Sequence, residues 1–399
     1  MKRRDFATIA AHAALGRSEP DFTPTCAPVH RSVTYWYDRM STLDAVLSGQ
    51  CPGYVYSRLA NPTVSTLEST IARLESTESA VACGSGMAAI HLAMLSAGMV
   101  PGSVLLAARD LYGGTLALLR QVLAQQGVRI HSVDTADRNA VARTIAEIKP
   151  TAVLAETISN PLLGITDVPV LVQLAHQAGS VVIVDNTFAT PYLYQPALHG
   201  ADYVVESATK YLGGHGDVMG GIVAGSNEAC LRARQYLELV GGLLGPDEAW
   251  LILRGLKTLA VRMRQHCQNA AAVARFLSYH PSVERVYYPG LPTHPQFQLS
   301  RRVFAKNMYG GVVSFELRCA DQEDVFRFME ALELVIPGTS LGDVTSLILY
   351  PAHSSHRSLT EAQRQQAGIS RRLVRLSVGI EEPSDIIYDL AQALDVMTK

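Results

Sequence analysis

Lys210, in Ser207-Ala208-Thr209-Lys210-Tyr211 at the end of a predicted strand, is the residue of this chain best placed for covalent chemistry. Lysine is rarely fully buried, and a desolvated one gives up its proton readily enough to act as an amine nucleophile toward an aldehyde. The hydroxyls of Ser207 and Thr209 can donate to a phosphate, and Gly213-Gly214 follow in a turn. Taken alone, the segment also fits an ordinary surface lysine. Asp185 closes the apolar run Val181-Val182-Ile183-Val184, at the carboxyl end of a strand, where open α/β sheets place their ligands. A carboxylate there is costly to bury unless something positive meets it, although it also fits a turn acid ahead of Asn186. The third segment, Gly84-Ser85-Gly86-Met87-Ala88-Ala89, opens a helical stretch that runs through Ala97. Glycines at such a point let backbone amides approach a phosphate. The same residues fit a dinucleotide fingerprint, but the acid due about 20 residues on is missing, with Ala107-Ala108-Arg109 in its place. A plain strand-to-helix turn fits as well, and a nicotinamide oxidoreductase serves only as a control reading.

Jointly the three segments supply a phosphate cradle, an acid for a pyridine nitrogen and an amine for an aldehyde, which is what pyridoxal 5'-phosphate requires. The acid keeps the ring nitrogen protonated, so that electrons released at a substrate Cα can flow into the ring. The elements that must position these groups are short β-branched runs alternating with amphipathic ones: 103–108, 128–133, 151–157, 180–186 and 201–207. That alternation predicts a mostly parallel sheet wrapped by helices. The 181–184 run has no polar alternation and belongs mid-sheet, buried on both faces. Residues 1–63 are broken by Pro20, Pro24, Pro28, Pro52 and Pro62 and read as an extended arm without a stable helix. Asp247 to Leu277 reads as one long helix with an acid in its first turn. Beyond it, 310–317, 346–351 and 373–380 predict the strands of a smaller α+β domain.

Composition narrows the class further. The 399 residues carry 34 Lys plus Arg against 36 Asp plus Glu, so a net charge of -2 supplies no field for nucleic acid or an acidic membrane. Six cysteines, at 26, 51, 83, 230, 267 and 319, form no C-x-x-C pair and read as reduced, inert thiols of a cytoplasmic enzyme. Lys2-Arg3-Arg4 faintly resembles a twin-arginine export signal, but His12 interrupts the apolar stretch and no cleavage pattern follows. No apolar run approaches the roughly 20 residues of a membrane span.

The segments YSRLANPTVSTLE (56–68), DLYGGT (110–115), DNTFATPYL (185–193), SATKYLGGHGDVMGG (207–221), VYYPGLPTHP (286–295) and RLSVGIE (375–381) resemble the trans-sulfuration, or Cys/Met metabolism, family of pyridoxal-phosphate enzymes. The likeness covers nearly the whole chain. It implies an α/β fold of the type I, aspartate-aminotransferase-like class, with a mostly parallel seven-stranded sheet, helices on both faces and a smaller C-terminal α+β domain. It implies an arm over 1–63, a cofactor domain over 64–257 and a C-terminal domain over 258–399. Residue by residue, it implies that Lys210 binds the cofactor, Asp185 pairs with its ring nitrogen and Tyr112 stacks on the ring. Gly86, Met87, Ser207 and Thr209 then hold the phosphate, Asn160 lies near the 3'-oxygen, and Ser340 and Arg375 contact the substrate carboxylate. Tyr56 and Arg58 would reach the phosphate of a neighbouring subunit, making a homotetramer built from dimers that share their sites.

Departures from family members narrow the substrate. Cystathionine-handling members usually carry glutamate where this chain has Thr339, so the distal ammonium of cystathionine loses a partner. Ser340-Leu341-Gly342-Asp343 resembles the methionine γ-lyases, which however carry a cysteine at the position of Gly114; O-acylhomoserine sulfhydrylases can show the same tetrapeptide. Tyr350 to His356 departs from the common pattern. The expectation is a carbon–sulfur lyase that eliminates the γ-substituent of a methionine- or homocysteine-like amino acid, with Lys210 and Tyr112 catalytic. The alternative is γ-replacement by a sulfhydrylase or cystathionine γ-synthase; cystathionine γ-lyase, a β-lyase and a non-catalytic cofactor-binding protein rank lower. His353 and His356 lack the further ligands a metal would need, and His215 and Asp217 are assigned to the loop after Lys210.

Overall fold

The strand runs of the central region form a single seven-stranded sheet in this computed structural model, which describes residues 5–13, 24–304, 307–318, 321–357 and 360–397. Cys319 and the Lys2-Arg3-Arg4 segment lie outside the described residues. The strands are β1 (Ser79–Cys83), β2 (Val104–Ala108), β3 (Arg129–Val133), β4 (Ala152–Glu156), β5 (Val181–Asp185), β6 (Tyr203–Ser207) and β7 (Gly221–Gly225), in the order β1-β7-β6-β5-β4-β2-β3. Pairing from β3 through β6 is parallel, whereas β7 runs antiparallel to both β1 and β6. As the unbroken apolar run requires, β5 is the middle strand, with Val182, Ile183 and Val184 fully buried. Each contributes about 1.5–3 kcal/mol of hydrophobic stabilisation. The common direction of β4, β5 and β6 brings Glu156, Asp185 and Ser207 out at one edge of the sheet.

A second, five-stranded sheet follows, from β8 (Val283–Tyr287), β9 (Val312–Leu317), β10 (Ile336–Pro337), β11 (Leu347–Leu349) and β12 (Leu373–Ser377), in the order β10-β11-β12-β9-β8. Its middle strand, β12, carries Arg375 opposite Ser314 and Leu349. Ser314 donates its hydroxyl to Pro161 O at 2.6 Å, which fastens this sheet against the loop after β4.

Two helical expectations need correction. The segment 247–277 is two helices, Pro246–Leu256 and Leu259–Tyr279, broken at Lys257-Thr258. The break lets the loop after Lys210 press on the first helix, where a Cβ on Gly255 would lie 2.2 Å from Gly213 O. Arg262 then bonds Gly255 O at 2.8 Å and Tyr211 O at 2.9 Å, closing both ends of the junction. Apolar periodicity continues across the break and so hides it. The arm is likewise not wholly extended, for it contains the helices Phe6–Ala11 and Met40–Leu47. The first is short but capped by Asp5, and Phe6 packs edge-on against Tyr192 at 5.4 Å. The arm ends where Asn61 caps the helix Pro62–Glu75 through Thr63 N and donates to His30 O. No described helix is long and apolar enough to cross a membrane.

Candidate active site

A cavity of about 250 Å³ opens where the ends of β4, β5 and β6 meet the helix Gly86–Ser96 and the edge of the second sheet. Gly86, Met87, Tyr112, Asn160, Asp185, Ser207, Thr209, Lys210, Thr339 and Arg375 all line it. Ser340 joins them by accepting a hydrogen bond from Lys210 Nζ at 3.0 Å. Tyr56 and Arg58 do not line the cavity; both are exposed, with Arg58 over the Tyr56 ring at 5.7 Å and bonded to Glu238 O.

The floor follows from local chain chemistry. Ser85 caps the helix Gly86–Ser96 through Ala88 N, leaving earlier amides turned toward the cavity. Glycine at 86 is compulsory, since a Cβ would lie 2.6 Å from Ser207 Cβ. Thr209 exchanges hydrogen bonds with Gly220. Asp185 accepts from Thr187 N at 2.9 Å and, among the described residues, has no ion-pairing cation; burial raises its pKa despite the Thr187 bonds. A buried carboxylate facing a cavity in this way is ready for a protonated ring nitrogen. Lys210 is pushed down to about 8, first by burial and then by the Arg375 charge. Arg375 is 2% exposed and bonds Asn160 Oδ1 and Ser340 O at 3.1 Å each, while its Nε has no partner. Its Nε–H and the second N–H on each terminal nitrogen therefore remain for a ligand carboxylate.

Sequence reasoning missed Glu156, although a carboxyl ending a buried strand is the same signal that marked Asp185. Its two oxygens accept from Tyr112 N at 2.6 Å and Asn160 N at 3.0 Å, so one side chain sets both loops. It also missed Met219, Leu341 and Ser355, which form part of the wall. The loop after Lys210 uses His215, whose Nδ1 lies 2.8 Å from Gly213 O, with Arg262 as its main anchor. His353 stacks on Tyr350, and buried His356 sits 2.9 Å from Ser355 Oγ.

Beneath the floor a second missed pair, Glu75 and Glu206, is buried beside Asn186 with no cation among the groups acting on it. Burial raises both carboxyls, Glu75 to about 7. The folded chain therefore binds more protons here than the unfolded one, so this contribution is full below about pH 4.5 and is lost as pH rises through 7. Glu75→Gln is expected to flatten the fall in thermal midpoint between pH 5 and 8, measured on cofactor-loaded protein. An unchanged pH slope would show that the pair holds no proton.

The chemistry these groups can perform needs a phosphate-bearing aldehyde with a basic ring nitrogen, and the unpaired Asp185, the glycine-floored cradle and the low-pKa amine fit pyridoxal phosphate. Comparison with known proteins agrees. Residues 7–395 match the family model for Cys/Met metabolism PLP-dependent enzymes. The chain is 39% identical over 398 residues to the L-methionine gamma-lyase of Fusobacterium nucleatum subsp. nucleatum, covering 99% of each. It is 42% identical over 358 residues to the cystathionine gamma-lyase of Bacillus subtilis, covering 90% of this chain and 93% of that one. The crystal structure of cystathionine gamma synthase from Xanthomonas oryzae pv. oryzae with aminoacrylate and cysteine superposes with a TM-score of 0.92, at 36% identity and 99% coverage of both chains. A lyase and a synthase thus lie at similar distances, and what the comparisons share is the family: this chain belongs to the Cys/Met metabolism PLP-dependent enzymes, with pyridoxal 5'-phosphate as its cofactor.

Proposed function

We propose that this enzyme is a carbon–sulfur lyase that eliminates the γ-substituent of a methionine- or homocysteine-like amino acid, yielding a thiol, ammonia and 2-oxobutyrate. The observation that carries this reading is the charge pattern of the cavity. Its lining carboxylates are Glu156 and Asp185, which end β4 and β5, and Thr339 and Leu341 add no charge to the lining. A second ammonium held within this cavity, as in cystathionine, would therefore lack the counter-charge that an acid at position 339 would supply. An uncharged thioether suits the apolar flank of Met87, Ile158, Met219 and Leu341. The methionine lyases among the relatives support the same reading.

The bound cofactor supplies an electron sink for the substrate Cα. The chain's own groups do the rest. Arg375 grips the substrate carboxylate through its unpartnered Nε, with Ser340 beside it. Lys210, anchored on β6's end and pushed down to about 8, carries protons away from Cα and then Cβ near neutral pH. Tyr112, fixed through its backbone by Glu156, delivers a proton to the leaving sulfur. Tyr56 and Arg58, exposed on the arm side, would complete the phosphate site of a neighbouring copy.

The deciding test incubates cofactor-loaded enzyme with methionine, homocysteine, cystathionine, cysteine, and O-acetyl- or O-succinylhomoserine plus sulfide. Methionine or homocysteine is expected to give 2-oxobutyrate fastest. Rapid homocysteine formation from an acylhomoserine, with negligible keto acid from methionine or homocysteine, would make the enzyme a sulfhydrylase instead.

A further inference from the structure

Next to the Lys210 cavity lies a second of about 400 Å³, walled by Phe326 and Met329 of the helix Gln322–Glu330, Ile348 and Leu349 of β11, and Tyr350 and His353 just beyond. Thr339 lines both cavities, and Ser354 of the second is the chain neighbour of Ser355 of the first. Three rings shape the wall. Tyr350 and His353 stack at 4.8 Å and 18°, and Phe326 meets each edge-on at 6.1 Å. The Tyr350 hydroxyl donates to Arg371 O at 2.6 Å, which fixes its ring. Burial, and then the charges of Arg364, Arg357 and Arg371, lower the pKa of His353, so at neutral pH it presents an uncharged aromatic face. Glu330 is the one carboxylate in this wall.

Size decides how the two spaces are used. Cavities that bind small molecules typically hold about 300–1,000 Å³. The Lys210 cavity, at about 250 Å³, must take the cofactor and the reacting end of the substrate together. A larger sulfur substituent finds the second cavity next to it, and Thr339 marks the shared border.

We propose that the second cavity receives the sulfur substituent of the substrate, so that the preferred thioether of homocysteine carries a bulky ring-bearing apolar group rather than methyl. This rests on the γ-elimination reading. The net reaction is R–S–CH2CH2–CH(NH3+)COO− plus water giving RSH, CH3CH2COCOO− and NH4+. The Cγ–S bond breaks, sulfur leaves with the electron pair and takes a proton, and no oxidant or reductant is consumed.

The test compares S-benzyl-L-homocysteine with L-methionine on cofactor-loaded enzyme, by 2-oxobutyrate release and by equilibrium binding in a calorimeter. The benzyl compound is expected to show a kcat/KM about ten-fold above that of methionine. Phe326→Ala, and separately the exposed His353→Ser, which does not threaten folding, should each remove most of that advantage through KM. Methionine kinetics should stay within about two-fold in both variants. A wild-type preference for methionine, or equal losses for both substrates in both variants, overturns the subsite. Tighter binding of the benzyl compound that is lost in the variants, without keto acid from either substrate, keeps the subsite and overturns the elimination reading. Equal binding of both compounds with no keto acid overturns both.

Discussion

Lys210→Ala is expected to lower turnover by about 10³-fold or more and to abolish the visible absorbance of the lysine-bound cofactor. Two losses combine in this variant. The amine proposed to anchor the cofactor is removed, and so is the group proposed to carry protons at Cα and Cβ. No other described residue lining the cavity can replace it, because the remaining cation there, Arg375, is a guanidinium that does not act as an amine nucleophile. Burial and the Arg375 charge place the Lys210 amine near 8, so cofactor uptake by the cofactor-free chain should quicken as pH rises through that value. Lys210→Arg keeps the positive charge but cannot shed it, and should be as inactive as the alanine variant. The measurements are product release in the steady state and absorbance of the purified protein. Activity within ten-fold of wild type in Lys210→Ala would place the anchor elsewhere.

What made this site legible in the sequence was its dependence on strand ends. A run such as 181–184 can be buried on both faces only in mid-sheet, so the acid that closes it must emerge at the ligand edge. The same logic finds Lys210 just past β6 and Gly86 just past β1. It does not find Arg375, which stands on the other sheet and meets Lys210 across Ser340. Local pattern carries no information about which distant segments touch, and here only the family resemblance supplied it. Strand β7 escaped for a different reason: it begins and ends with glycine, and its neighbours' closeness demands that composition. A Cβ on Gly221 would lie 2.0 Å from Ser85 O, so a residue that weakens strand propensity is the one the packing permits.

Gly114 shows how a departure from the family pattern acquires a physical meaning. A Cβ there would lie 2.5 Å from Cε1 of Tyr112 and 3.2 Å from the sulfur of Met87. Any larger residue, cysteine included, would push the Tyr112 ring from its present position. The missing thiol is thus coupled to the placement of the acid proposed to protonate the leaving sulfur, and the sequence alone showed only a missing residue. Glu206, inside an apolar strand, and Glu75, at a helix end, were missed because such carboxyls read as solvated until their burial is known, whereas Glu156, which ends β4, carried the same signal as Asp185.

Asp185→Asn is expected to bind cofactor with little loss while kcat falls by about 10²–10³-fold. Asparagine fits the same space, and its side-chain oxygen can still accept from Thr187 N, so neither the strand end nor the cavity should move. What disappears is the negative charge. In wild type that charge sits buried without an ion-pairing cation among the described residues, and a protonated ring nitrogen is the partner proposed to offset the cost of its burial. A neutral amide cannot hold that proton, so the ring draws electrons from the substrate Cα less strongly, and the rate falls although the cofactor remains in place. The test measures kcat on the best thioether alongside cofactor affinity by spectral titration. Wild-type rates would show that the ring nitrogen has another partner; loss of cofactor in proportion to activity would show that Asp185 anchors rather than activates.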